Sequence, residues 1–196
     1  MTNNTIFIPK DEYPYAAPSD CIDPIQKNMK ILEISTRSKN TFGKSLSPFN
    51  LAIRLKSGKK VKVECAYQGS KIVKMSDGKT QQFESLYWGS PRDAALDRRI
   101  KGVPPVAFKF FGKEYPLTPK HCFFDFLYII SLIQRKDDVF AKLSQFDGFT
   151  DIFYSPRKDP NCQARAASKF VSLKRQGLID DNTPSSKILE LLIGSE

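Results

Sequence analysis

The chain has 196 residues, 40% of them hydrophobic with 15 Phe and 7 Tyr, which suits one domain with its own core and argues against global disorder. Lys and Arg number 31 against 21 Asp and Glu, a net charge of +10 that favours polyanionic partners such as nucleic acid, with plain solubility as the competing explanation. No apolar run reaches the ~20 residues of a membrane span and the first ten residues lack a signal-peptide pattern, so a cytoplasmic protein without membrane attachment is expected.

Residues 1–30 scatter Pro9, Pro14, Pro18 and Pro24 among polar residues and read as an irregular N-terminal arm, with Tyr13 and Tyr15 as anchors. Residues 31–180 then form the main domain. Its first clear unit is a β-hairpin: Leu51, Ile53 and Leu55 alternate with polar residues, Ser57-Gly58 turns, and Val61 and Val63 resume the alternation. The opposite face carries Arg54, Lys56, Lys60 and Lys62.

A helix is expected directly after the hairpin, from about Glu64. On an α-helix seven residues advance by about 700°, so Glu64 and Lys71 would share a face roughly 10 Å apart, with Tyr67 and Gln68 between them. A carboxylate, a phenol, an amide and an amine on one stripe suit a polyhydroxylated substrate and proton handling. A merely solvated face is the alternative.

Ser76 to Lys79 reads as a turn, and Ser90-Pro91 as the cap and first residue of a helix. Val106 to Phe111 is a strand candidate. Thr118-Pro119 opens the strongest helix, running to about Gln134 and apolar on most sides. A short amphipathic helix holds Val139, Phe140, Leu143 and Phe146, and Phe149 to Asn161 reads as a polar loop. Cys162 to Gln176 is helical, with Gly177 as a left-handed stop. Residues 181–196 form a C-terminal amphipathic helix packed on the domain through Ile188, Leu191 and Leu192. The sum is α+β: mainly helical, with a small antiparallel sheet.

Cys21, Cys65, Cys122 and Cys162 lie far apart in sequence and are expected reduced; His121, the sole histidine, is assigned a structural role. No carboxylate cluster suggests a divalent metal, and no glycine-rich loop suggests a dinucleotide or P-loop site. A site without metal or cofactor is therefore expected, in three pieces. The first is the Glu64 stripe. The second is Asp151 with Asn161 and Arg165 at a loop-to-helix junction, which suits pyrophosphate or a DNA backbone, or is simply a capped polar loop. The third is aromatic: Phe49, Trp88 and Tyr115 either stack a base or pack in the core, and Trp88 beside Gly89-Ser90-Pro91 is expected to be partly exposed.

These residues, in this order, resemble the NADAR (YbiA-like) family. The likeness runs through Ser47-Pro48-Phe49, the hairpin, the helix Glu-Cys-Ala-Tyr-Gln-Gly-Ser-Lys of residues 64–71, Ser90-Pro91-Arg92-Asp93-Ala94, Asp151, and Asn161 to Gln176. It covers roughly residues 30–178. The phrases at 64–71 and Asn161 to Ala166 resemble the branch paired with DNA-modifying ADP-ribosyltransferase toxins. Cys65 departs from the family pattern, and Tyr115 stands where a tryptophan is expected.

The resemblance implies an N-glycosidase that removes ADP-ribose from guanine in DNA or RNA, an antitoxin-like reversal of ADP-ribosylation with a cognate toxin as partner. It implies Glu64, Lys71 and Asp151 as catalytic groups. Phe49, Tyr67, Gln68, Trp88, Tyr115, Asn161 and Arg165 would bind substrate, and the hairpin cations the nucleic-acid backbone. Alternatives are a glycosidase of a small N-ribosylated metabolite, a non-catalytic ADP-ribose or nucleic-acid binding module, and an antitoxin that blocks its toxin by contact alone.

Overall fold

A computed structural model of the chain describes residues 5–11, 28–135, 137–154 and 161–194. The anchors Tyr13 and Tyr15 fall outside these residues. The arm is not irregular throughout, because Ile6–Phe7 forms strand β1. It pairs antiparallel with β9 (Gly148–Thr150), which also pairs in parallel with β2 (Ile31–Glu33), giving the order β1-β9-β2. Phe149, expected in a loop, is thus fully buried in the central strand of a mixed sheet.

Helix α1 (Thr41–Ser45) follows, its first amides held by the Asn40 side chain. The hairpin comes next as β3 (Ala52–Arg54) and β4 (Lys60–Lys62), paired Ile53 to Val61 and Arg54 to Lys60. Ile53 and Val61 are buried while Arg54, Lys56, Lys60 and Lys62 are exposed, so its two faces divide as the alternation predicts.

Helix α2 (Val63–Ser70) begins with no linker and no side-chain cap. Its first amides donate instead to backbone carbonyls, Val63 N–H to Leu51 O and Glu64 N–H to Pro48 O, both 3.1 Å. These bonds satisfy groups that every helix start leaves open, and they fasten the Ser47–Asn50 loop against Glu64. The helix ends one residue before Lys71, which starts strand β5 (Lys71–Lys74). The following Ile72 and Val73 are β-branched, and Lys71 pairs with Phe108 across the sheet. Glu64 and Lys71 therefore do not share one helical stripe.

Strands β5, β6 (Thr80–Gln82), β7 (Ala107–Phe110) and β8 (Lys113–Tyr115) form an antiparallel sheet in the order β6-β5-β7-β8. Between β6 and β7 lie a 3₁₀ turn, Glu84–Trp88, and helix α3 (Pro91–Leu96). Ser90 caps α3 by accepting from Asp93 N–H, and Pro91 opens it, as expected. The 3₁₀ turn packs along α2 at Gly69, where a Cβ would stand 2.5 Å from the Tyr87 ring.

Helix α4 (Cys122–Ile133) is the buried centre, with α2, α6 and α7 packed round it. It starts three residues later than the sequence suggests, after a turn holding Thr118-Pro119. Short α5 (Val139–Leu143) leads to β9, then α6 (Gln163–Arg175) and α7 (Ser185–Ile193). At the end of α6, Gly177 has φ +67°, and the Gly177 and Leu178 amides donate back to Lys174 and Leu173 carbonyls. That left-handed stop is the one expected. Ile188, Leu191 and Leu192 bury the inner face of α7. The architecture is α+β. No helix among the described residues is long and apolar enough to cross a membrane.

Candidate active site

Strands β2 and β9 run in parallel, so their carboxyl ends emerge at the same edge. One delivers Thr36 and Arg37, the other Asp151 and Phe153. Facing that edge are the amino ends of α2, α3 and α6, which bring Glu64, Arg92 and the Asn161–Gln163 segment. A cavity of about 590 Å³ lies between them, lined by these residues together with Pro48, Phe49, Tyr67, Gln68 and Phe124. That volume falls in the usual range for small-molecule sites. Residues at the starts of α2, α3 and α6 thus share one lining, which sets the cations Arg37 and Arg92 together with the carboxylates Glu64 and Asp151.

Glu64 is only 9% exposed, and its Oε1 accepts from Gln68 Nε2 at 2.8 Å, one helical turn on. Tyr67 packs edge-on against Phe124 with ring centres 5.6 Å apart, which fixes the wall beside this pair. Asp151 is 7% exposed, and its Oδ1 accepts the Phe153 amide at 2.9 Å, holding the carboxylate at the end of β9. Gln163 Nε2 donates to Ile34 O at 2.9 Å and ties the start of α6 to the end of β2. Arg37 lies over the Phe153 ring at 5.2 Å, so an aromatic and a cation share the rim.

Lys71 stands apart from this lining. It faces an adjoining cavity of about 540 Å³, lined also by Phe108, Thr118 and Lys120. Tyr67 and Asn161 line both cavities, so the two meet at this pair. The Lys71 ammonium lies 4.7 Å from the Tyr67 ring centre.

The remaining expected site residues lie elsewhere. Arg165 is 6% exposed and pairs with Asp125 Oδ1 at 3.3 Å beneath the site, while Lys169 takes the other oxygen at 3.1 Å. Burial alone would raise the Asp125 pKa, but Arg165, Lys169 and His121 more than offset it and the net shift is downward. Arg165 is thus part of a buried ion cluster between α4 and α6, not of the cavity wall. Tyr115 packs on Phe123 and Phe126 and lines neither cavity. Trp88 is exposed, as its neighbours suggest, but on the outer side of the 3₁₀ turn, also outside both linings. Arg54, Lys56, Lys60 and Lys62 are absent from both linings too.

Arg37, Arg92 and Phe153 are cavity residues that sequence reasoning did not single out as a site. Arg92 had a signal, since it sits in the first turn of a helix whose cap was readable. Arg37 had none: only the β2–β9 pairing, which joins residues more than 100 positions apart, brings it here.

Cys65, Cys162 and His121 are poor candidates for chemistry. Burial, with Glu64 adding to it, pushes Cys65 up to about 11, and burial pushes Cys162 up to about 12. Burial lowers His121 to about 4 despite nearby Asp125, with Arg165 and Lys169 acting in the same direction. No thiolate or imidazolium is present there at neutral pH. Among the described residues no group of three or more His, Cys, Asp or Glu side chains is placed to hold a metal ion.

Residues 20–194 match a family model described as the DarT1-associated NADAR antitoxin. No curated protein matches the chain.

Proposed function

The chain belongs to the NADAR family, in its group of DarT1-associated antitoxins, and from that premise we propose that it hydrolyses the N-glycosidic bond between ADP-ribose and guanine in DNA. The observation that carries the proposal is the grouping of the buried Glu64 carboxylate and its Gln68 amide partner with Asp151 and two rim arginines around one cavity. Arg37 and Arg92 bind the pyrophosphate as charge-assisted donors. Phe49 and Phe153 offer ring faces to the adenine. Asp151 orients ribose hydroxyls, with Asn161 beside it at the junction of the cavities.

The scissile bond then lies near Tyr67 and Asn161, with the guanine toward the second cavity. As the ribosyl carbon–nitrogen bond lengthens, positive charge grows on the sugar, and the Glu64 carboxylate stabilises it. Glu64 also takes a proton from the attacking water. The water oxygen bonds to the ribosyl carbon, and the bonding electron pair leaves with the guanine nitrogen. A proton from the Lys71 ammonium or from solvent neutralises the departing base. Free ADP-ribose and intact guanine in the strand result. No metal, redox partner or cofactor enters this balance.

Removing the group that an ADP-ribosyltransferase toxin attaches would make the protein an antitoxin by repair. The test is incubation with a guanine-ADP-ribosylated oligonucleotide, followed by mass spectrometry. Free ADP-ribose and unmodified oligonucleotide are expected; persistence of the adduct overturns the proposal.

A further inference from the structure

Two large aromatic side chains stand in solvent outside the cavity: Trp88 is 54% exposed and Phe111 45%. A single exposed apolar residue is ordinary, but adjoining exposed aromatics form a patch of the kind that marks contact sites. They come from different elements yet lie together, with ring centres 6.1 Å apart. Phe111 sits at the β7–β8 turn with φ +45°, a left-handed conformation rare for a bulky residue, which presents its ring outward.

The floor beneath is fixed. Tyr87 stacks under Phe111 at 4.7 Å, and its hydroxyl donates to Lys109 O at 3.0 Å. The two N–H groups of Gln82 Nε2 are shared among that hydroxyl, Lys109 O and Gly69 O, all within 3.0 Å, so turn, sheet and α2 are tied together. Lys59 Nζ lies 5.3 Å over the Trp88 ring. Lys59 belongs to the 51–63 hairpin, which carries five cations and no acidic residue.

We propose that Trp88 and Phe111 form a second binding site, a stacking platform for unpaired bases of a nucleic-acid strand whose phosphates are held by the hairpin lysines. Stacking on an aromatic face needs a base that is not already stacked in a duplex, hence a single strand. Lys59 has two uses for one ammonium: it covers Trp88 in the free protein and moves to a phosphate when a base takes the ring. Charge complementarity argues for this occupant over a protein partner, because Lys59 beside the rings, on a hairpin with no acidic residue, would lose hydration in a protein interface without a phosphate to replace it. Trp88 and Arg92 are four residues apart, so their Cα atoms lie within about 14 Å. A strand on the platform is thus a few nucleotides from the cavity rim. The inference does not depend on what the cavity hydrolyses.

Trp88 is the only tryptophan, so its emission reports on this site alone. The test titrates the full-length protein with an unmodified single-stranded oligonucleotide of about 12 nucleotides, a length within the range of single-strand sites. Saturable quenching is expected, weaker for the matching duplex and absent with free ADP-ribose. Phe111→Gly keeps the fold, because glycine takes a positive φ without strain. In fluorescence anisotropy with labelled oligonucleotide, it and Trp88→Ala should each bind at least about fivefold more weakly. No quenching, equal quenching by duplex, or unchanged affinity in both variants would overturn the proposal. So would an emission change caused by the associated toxin protein but not by the oligonucleotide, which would make the platform a protein interface.

Discussion

Glu64 holds a position that carboxylates rarely occupy, nearly out of water, and such a group needs nearby donors. Gln68, one turn along α2, supplies one through its amide, and the first turn of a helix favours the negative charge. The spacing from Glu64 to Gln68 was legible in the sequence because α2 contains both. That from Glu64 to Lys71 was not, because Ile72 and Val73 draw Lys71 into β5. Lys71 therefore approaches the Tyr67–Asn161 junction from the adjoining cavity. The rim arginines carry a prediction at this scale. Arg37→Ala and Arg92→Ala should each weaken ADP-ribose binding about 10-fold or more, as loss of a charge-assisted donor implies. Calorimetry would measure the affinity, and steady-state kinetics should show KM rising more than kcat falls.

Elements whose order comes from neighbours along the chain were readable. The hairpin showed in its alternation, α3 in Ser90-Pro91, and the end of α6 in Gly177. Elements defined by distant partners were not: β9 is three residues long, and its strand character comes from Ile6 and Ile31 rather than from its own pattern. Arg165 shows the same limit, since its partner Asp125 sits on another helix whose apolar run hid an ion site. Asp125 is fully buried between two cations, so Asp125→Asn should destabilise the fold by about 3–5 kcal/mol, read from urea unfolding.

His121 beside that cluster gives a pH test. Unfolded, it takes a proton below about 6.5; folded, only near 4. The unfolded state binds more protons across that window, so His121 makes stability rise with pH from about 4 to 6.5, by up to about 1.4 kcal/mol per unit. Comparing urea unfolding at pH 7 and pH 5, His121→Gln should lose roughly 1–2 kcal/mol less than wild type over the same step. An equal loss in both would show that His121 is not the group responsible.

Over the whole molecule the +10 charge is unevenly used. Arg165 and Lys169 lie inside the fold, Arg37 and Arg92 stand at the cavity, and Arg54, Lys56, Lys60 and Lys62 lie exposed on one hairpin. If that hairpin follows a strand, oligonucleotide binding should weaken linearly in log affinity against log salt. Replacing Lys56 and Lys60 by Ala should flatten the slope by about 0.7 for each phosphate no longer neutralised, with the fold intact. An unchanged slope would move the phosphate-binding surface elsewhere.

The proposed chemistry turns on Glu64 as the group that cleaves the bond between ribose and guanine. Glu64→Gln beside wild type, on guanine-ADP-ribosylated DNA with released ADP-ribose quantified by mass spectrometry, tests that role without an intermediary. Glutamine keeps the size and the hydrogen bonding but not the charge. Wild type should release ADP-ribose, and the variant should do so at a rate at least about 100-fold lower while still binding ADP-ribose. Full activity in Glu64→Gln would remove Glu64 from the reaction.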